Sequence, residues 1–414
     1  MQDLERQEAR QPESAKASHR TTFEVADIVR QHGKTYRSEH PLTPPQAAAL
    51  WSIAACRTSV LGGHLDECPN GDFARPSYNS CGHRNCPKCQ ALEQVRWIDS
   101  RKDRLLPVPY FHIVFTQPHE LNPLVLRNQK VLYDLLFSSV SAALLEIAAN
   151  PKYLGGVPAV TLVLHTWSRN LSLHPHMHTI VSGGGLGPSG EWVGSNGRFL
   201  LPKNVLAALL RGKYLAGLRT LWNEGRLDLG GACAGLADPQ TFGRLLSDLY
   251  ALGWFVYAKR AFGGPENVIE YLGRYTHRTG IANSRLVSVD DRVVTFRTKE
   301  GRTVSVTPQE FLRRFLLHVL PRRFVKIRHY GLLAAGNVKT RLVQARRVLG
   351  ATKPPDRSKN ETWRELLIRL TGVDPMCCPV CQATMTRRTL PKGVEYRPLQ
   401  PLVGSETSRL EDSS

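Results

Sequence analysis

The run LSLHPHMHTIVSGGG places His174, His176 and His178 at alternate positions. Neutral imidazoles serve as metal ligands and as acid–base groups. In a strand, successive side chains take opposite faces, so the three histidines share one face and Met177 takes the other. The preceding apolar run, VTLVLHTW, is joined to it by only SRNLSL, which makes a hairpin of the two. Centring that hairpin between Asn170 and Leu171 pairs Trp167 with His174 and sets His165 opposite His176. Cross-strand Cβ atoms about 4.5–5.5 Å apart then gather His165, His176 and His178 on one face, a set able to chelate a divalent ion with positions left open. TIVS continues the strand, and Gly183, Gly184 and Gly185 are expected to end it.

A second candidate lies downstream. PENVIEYLGRYTHRTG reads as a helix, with Pro265 and Glu266 in its first turn and Gly280 at its C-terminal cap. Tyr271 and Tyr275 are four residues apart and share a helix face, and each has an arginine three residues on, Arg274 and Arg278. A phenol, with a pKa near about 10, needs a neighbouring cation or metal to act as a nucleophile at neutral pH. Two tyrosines at this spacing are by themselves ordinary packing residues. Beside a histidine-held metal they complete a chemistry: a polarised phosphate is attacked by tyrosine, leaving a 5′-phosphotyrosine and a free 3′-hydroxyl. The bond energy is kept, so no nucleotide cofactor is required. Gly185-Leu-Gly187-Pro-Ser-Gly190 matches a dinucleotide fingerprint literally, but PSGEWVGSNGRF does not open a helix, and no Gly-Lys-Ser/Thr follows.

A third group is rich in sulfur. Cys56, His64, Cys68, Cys81, His83, Cys86 and Cys89 fall within thirty-four residues, and Cys86-Pro-Lys-Cys89 is a C-x-x-C knuckle. Paired thiolates at that spacing reach one tetrahedral Zn²⁺, so these seven read as ligands of one structural zinc site, or of two that are incomplete or share a ligand. Arg75, Arg84, Lys88, Arg96, Arg101, Lys102 and Arg104 lie close by in sequence, which suits a DNA-binding module. Cys377, Cys378 and Cys381 offer another C-x-x-C, but no second pair is visible near it, so a zinc there stays open.

The elements that must position these groups can be read more coarsely. Length suggests two or three domains. The net charge of +20, with pI near 9.8, points to a polyanionic partner, nucleic acid ahead of a membrane surface. The polar start MQDLERQEARQPESAKASHR has no apolar signal core. A cytoplasmic location is therefore expected, nucleoid-associated when DNA is bound, and the nine cysteines suit metal or core better than disulfides. Asp134 and Glu146 interrupt the longest apolar run, so no membrane span is expected. The expected division is a flexible basic tail over 1–40, a zinc-binding domain over 41–104, a catalytic domain over 105–335, and a linker with a short cysteine-bearing segment over 336–414. Within the catalytic part, strands YFHIVFT, VTLVLHTW and HMHTIVS alternate with helices near 124–148, 203–225, 239–252 and 265–279, followed by a β pair, RLVSVD and RVVTFRT. In EFLRRFLLHVLPRRFVKIRHYG, Phe311, Phe315, Leu316 and Phe324 interleave with arginines, which predicts an amphipathic helix with its arginines outward.

In these motifs the chain resembles the two-tyrosine rolling-circle transposases of the insertion-sequence ninety-one type, members of the HUH (histidine–hydrophobic–histidine) endonuclease superfamily. His176-Met177-His178 matches the HUH motif, and YLGRYTHRTGIANSRL the tyrosine motif. SYNSC…CPKCQ followed by LLPVPYFHIVFTQPHELNPL matches the zinc domain and its junction, and EFLRRFLLHVLPRRFVKIRHYGLLA the basic block. The resemblance covers roughly residues 45–335. It implies an α+β fold: a ferredoxin-like antiparallel sheet forming the HUH core, with an N-terminal zinc-binding domain and helical additions. It implies Tyr271 and Tyr275 as nucleophiles, and Mg²⁺ or Mn²⁺ at His176, His178 and a third, variable ligand. That ligand is His165 by the hairpin argument, with His112 as the other candidate. It implies cleavage of single-stranded DNA at transposon ends and at a target, with Arg274, Arg278, Arg313, Arg314, Arg322, Arg323, Lys326 and Arg328 on phosphates. The family usually has a further Cys near position 71 and a His near 85; here these are Gly71 and Asn85, with His83 a candidate substitute. Alternatives are a replication initiator or relaxase of the same superfamily, a non-catalytic zinc DNA-binding protein, and, more remotely, a metal phosphodiesterase acting through water. Oligomeric state is not legible.

Overall fold

The computed structural model describes residues 23–102, 104–195, 201–260, 273, 280–298, 301–351 and 361–396. The chain divides into two compact units, one of Met1–Ala54 with Gly82–Glu361, the other of Ala55–Cys81 with Thr362–Ser414. The fold is α+β with antiparallel sheets.

The first unit is built on one sheet. Its strands lie in the order Ile327–Gly331, Val157–Trp167, Leu173–Leu186, Tyr110–Thr116, Phe255–Arg260, and every neighbouring pair is antiparallel. The histidine strand is therefore central. A short strand, Trp192–Gly194, pairs with its far end. Period-2 alternation divides the faces. Phe111, Ile113, Phe115, Leu162, Leu164, Met177 and Val181 enter one core with residues of helices Gln129–Ala149, Lys203–Asn223 and Pro239–Ala251. Tyr110, Val163 and Ile180 belong to a core on the other side, with Leu342 and Ala345 of helix Arg341–Val348. Helix Gln129–Ala149 is long and apolar enough to cross a membrane, yet most of it is buried in this core. Elsewhere in this unit, strands Leu286–Val289, Val294–Arg297 and Thr303–Val306 form a meander.

The second unit joins distant parts of the chain. Strand Gly63–Glu67 lies between Ala74–Tyr78 and Thr386–Leu390, antiparallel to both. Asp66 is fully buried and meets Arg387 at 2.6 and 3.0 Å and Arg75 at 3.3 Å. Helix Trp363–Thr371 opens with a capping box, Thr362 and Glu365, and ends at Gly372 in the left-handed region.

Several expectations shift. Residues 25–39, placed in the tail, form a helix that buries Val25, Ala26, Ile28, Val29 and Tyr36. Their i, i+3, i+4 recurrence is an amphipathic stripe within a polar composition. The segment after 336 is not only a linker: it supplies helix Arg341–Val348 to the first unit and a strand to the second. Gly183–Gly185 do not end the histidine strand, which runs to Leu186. A Cβ on Gly185 would sit 2.8 Å from backbone atoms of Gly156 and Val157, and one on Gly184 2.7 Å from the Trp192 ring. These glycines allow close approach of neighbouring chain rather than a turn. The basic block is also not one helix: Pro308–Leu316 is helical and Ile327–Gly331 is a strand. Pro321 and the left-handed Arg323 (φ 60°) lie between them.

Candidate active site

The hairpin places the histidines. His165 pairs with His176 and Val163 with His178, as the spacing predicts. Trp167 pairs with Leu173 rather than His174, because the register shifts after His165. The extra residue lies in the histidine strand, where His174 and Pro175 stand opposite the single Thr166, whose hydroxyl contacts His318 Nδ1 at 3.2 Å. At the tip, Leu171 adopts φ 65° and is fully buried. Its carbonyl accepts from His318 Nε2 at 3.0 Å, Asn170 O accepts from Arg314 Nη1 at 3.1 Å, and Arg169 O accepts from Arg285 Nη2 at 2.6 Å. Three consecutive carbonyls are thus held by three side chains, which fixes the turn that sets the register.

His165, His176 and His178 each offer a ring nitrogen, and these atoms lie within 4.8 Å of one another. His176 Nδ1 donates to His174 O at 2.7 Å, which leaves Nε2 for a metal. His178 Nδ1 meets His112 Nε2 at 2.8 Å, with the two rings nearly parallel. His165 stacks on Trp167 with ring centroids 4.7 Å apart. Burial holds His176 at a pKa of about 4, and burial with His176 and His112 nearby holds His178 at about 2. Both rings are neutral at neutral pH, the form that ligates. Three ring nitrogens on one strand pair fit a divalent ion with open positions. His112 belongs behind the group, where it orients His178, rather than in it. His174 is exposed and outside the group, and Met177 is fully buried on the opposite face.

Tyr271, Tyr275, Arg274 and Arg278 lie outside the described residues. The basic block divides by use. Arg313 and Arg314 both pair with Glu310 at 2.6 Å, which draws that carboxyl down to a pKa of about 2. Arg328 pairs with Asp134 and lies 4.0 Å over the Phe137 ring. Burial lowers the Lys326 ammonium to about 8. Arg322 and Arg323 are exposed. The block is therefore partly structural, and the expectation that all its arginines point outward holds for only some of them.

The seven zinc candidates do not act together. Cys86 and Cys89 share a turn, with Cys89 N–H donating to Cys86 O at 3.3 Å. Within the second unit, Cys68 groups with Cys378 and Cys381, not with the knuckle. Among the described residues, His64 and His83 belong to no such group. His64 stands in strand Gly63–Glu67, and His83 Nδ1 accepts from Asn85 N–H at 3.2 Å. His318 and Arg285, which fix the hairpin tip, carry no sequence signal of that role.

Comparison with known proteins shows the family. A family profile described as "Putative transposase" matches residues 159–341, and one described as "Transposase zinc-binding domain" matches 28–117. "Putative transposase y4qJ" of Sinorhizobium fredii is 40% identical over 368 residues, covering 86% of this chain and 92% of the relative. The transposase for insertion sequence element IS801 of Pseudomonas savastanoi pv. phaseolicola is 27% identical, covering 82% of each chain. No solved structure matches. The chain belongs to the transposase family of the insertion-sequence ninety-one type.

Proposed function

We propose that this transposase cleaves and rejoins single-stranded DNA by tyrosine transesterification in rolling-circle transposition. His165, His176 and His178 would hold Mg²⁺ or Mn²⁺. Such an ion supplies Lewis-acid polarisation of the scissile phosphate. Tyr271 or Tyr275 attacks phosphorus through its phenolic oxygen. A P–O bond to tyrosine forms, the P–O3′ bond breaks, the phenolic proton leaves to solvent, and the 3′-oxygen takes up a proton. The product is a 5′-phosphotyrosine with a free 3′-hydroxyl, and reversal of the step by another 3′-hydroxyl rejoins the strand. Two tyrosines allow a second cleavage before the first link is resolved.

Arg322 and Arg323 bind backbone phosphate, and Arg274, Arg278, Arg313, Arg314, Lys326 and Arg328 add to the local positive field. Cys86 and Cys89 hold a structural zinc together with further thiolates of the zinc-binding domain, since a C-x-x-C turn suits tetrahedral coordination. The protein acts in the cytoplasm, at the nucleoid when DNA is bound. The observation that carries the reading is the convergence of three histidine nitrogens whose other ring atoms are already engaged at His176 and His178. The test is cleavage of labelled oligonucleotides bearing the element's ends, single- and double-stranded, with Mn²⁺ or EDTA. Cutting of the single strand alone, abolished by EDTA and by His176→Ala, is expected. Metal-independent cutting, or equal cutting of the duplex, would refute it.

A further inference from the structure

The C-terminal cysteines take no part in the reading above. Cys68 lies in a turn after strand Gly63–Glu67, where its N–H donates to Phe73 O at 2.8 Å and its carbonyl accepts from Gly71 N–H at 3.0 Å. Cys378-Pro-Val-Cys381 lies in a second turn. There Cys378 N–H donates to Ala383 O at 2.9 Å, and Gln382, at φ 62°, donates to Cys378 O at 3.0 Å. Both turns are closed by a bond from the cysteine N–H to the carbonyl five residues on. Strand Thr386–Leu390 pairs with Gly63–Glu67 so that Thr386 meets Glu67, which brings the two turns to the same end of one sheet.

The three sulfurs lie within 4.8 Å of one another, and Cys68 Sγ is 3.3 Å from Cys381 Sγ. Cys378 is fully buried and Cys68 nearly so, among Phe73, Met376 and Met385. Asn70 Nδ2 donates to Cys381 Sγ at 3.4 Å, a contact that favours thiolate. The Asp72 carboxylate stands 4.0 Å from Cys68 Sγ. Cys377 is turned elsewhere, its thiol donating to Gln382 O at 3.0 Å.

We propose that Cys68, Cys378 and Cys381 bind a second ion of the zinc class, with Asp72 closing the tetrahedron. Three thiols release their protons to solvent on binding, and the ion takes three sulfur donors and one oxygen donor. The ion fastens the chain's C-terminal segment to a turn some three hundred residues earlier, so that this segment is part of a metal-built fold.

The test is zinc content of the full chain, purified with reductant and free of excess metal, for wild type, Cys377→Ser, Cys378→Ser and Cys381→Ser. Loss of one zinc equivalent in each of the last two, with none lost in Cys377→Ser, is the expected result. Unchanged content in both would overturn the proposal. Should those variants fail to fold, alkylation of the native wild-type chain, mapped by mass spectrometry during stepwise chelation, decides the matter. Cys68, Cys378 and Cys381 should become reactive together as one zinc equivalent leaves. Protection that survives chelation but yields to reductant would mean a disulfide, and protection that survives both would mean a packed sulfur core. Either would overturn the proposal.

Discussion

His112→Phe isolates the contribution of the residue behind the histidine group. His112 Nε2 lies 2.8 Å from His178 Nδ1, and both rings are almost fully enclosed. With a metal on His178 Nε2, the proton must sit on Nδ1 and be donated to His112. That bond fixes the ring's tautomer and orientation and raises its basicity. Loss of such an outer partner costs about 10–100-fold in metal affinity, or about 1.4–2.7 kcal/mol. Phenylalanine keeps most of the ring's volume and removes only the nitrogens, so packing and hydrogen bonding separate. Mn²⁺ titration of the full chain, followed by electron paramagnetic resonance at neutral pH, measures the constant directly. The thermal midpoint in EDTA serves as a control for folding. Binding within twofold of wild type, in a variant that still folds, would refute the assigned role. His176→Ala should lose binding altogether, because it removes a ligand.

Three other outcomes follow from the same geometry. His318 is held neutral at a pKa of about 4 by burial, against 6.5 when unfolded, so its contribution to stability is complete above pH 6.5 and is lost as pH falls toward 4. That gap corresponds to at most about 3 kcal/mol, and urea unfolding in EDTA across the window should be steeper for wild type than for His318→Asn. Arg322→Ala with Arg323→Ala should weaken single-stranded DNA binding and flatten its salt dependence by about 0.7 per lost phosphate contact, whereas Arg328→Ala, which breaks the Asp134 pair, should act mainly on the melting temperature. Asp66→Asn leaves Arg387 and Arg75 without their buried counter-charge and should cost about 2 kcal/mol; a melting point unchanged from wild type would show the triad to be inert.

The chemistry of the site was more legible in the sequence than its support. Alternation and a six-residue link were enough to bring His165 opposite His176, because strand geometry has a fixed period and a short connection admits few registers. Trp167 falls one residue off that register, since His174 and Pro175 stand opposite the single Thr166, a bulge that alternation alone does not reveal. Glycines were misread for a related reason. Gly183–Gly185 signal a turn locally, but here they admit the backbone of Gly156 and Val157 and the ring of Trp192, which only the folded sheet brings near. The helix at 25–39 was hidden by a composition that averages a buried stripe with a polar one. The knuckle at Cys86 was visible as a local spacing. The partner of Cys378 and Cys381 was not, because strand pairing rather than sequence proximity delivers Cys68.

The central claim is that tyrosine, with a histidine-held metal, becomes joined to DNA. The most direct measurement is a denaturing gel of the protein with single-stranded oligonucleotides carrying the element's ends, in Mn²⁺ or EDTA, for wild type, Tyr271→Phe, Tyr275→Phe and the double variant. Phenylalanine removes only the hydroxyl from each ring. A metal-dependent covalent band is expected that persists in at least one single variant, vanishes in the double variant, and maps by mass spectrometry to Tyr271 or Tyr275. Free cut strands from the double variant would contradict it in favour of attack by water, and binding without any adduct from wild type would contradict it in favour of a protein that only holds DNA.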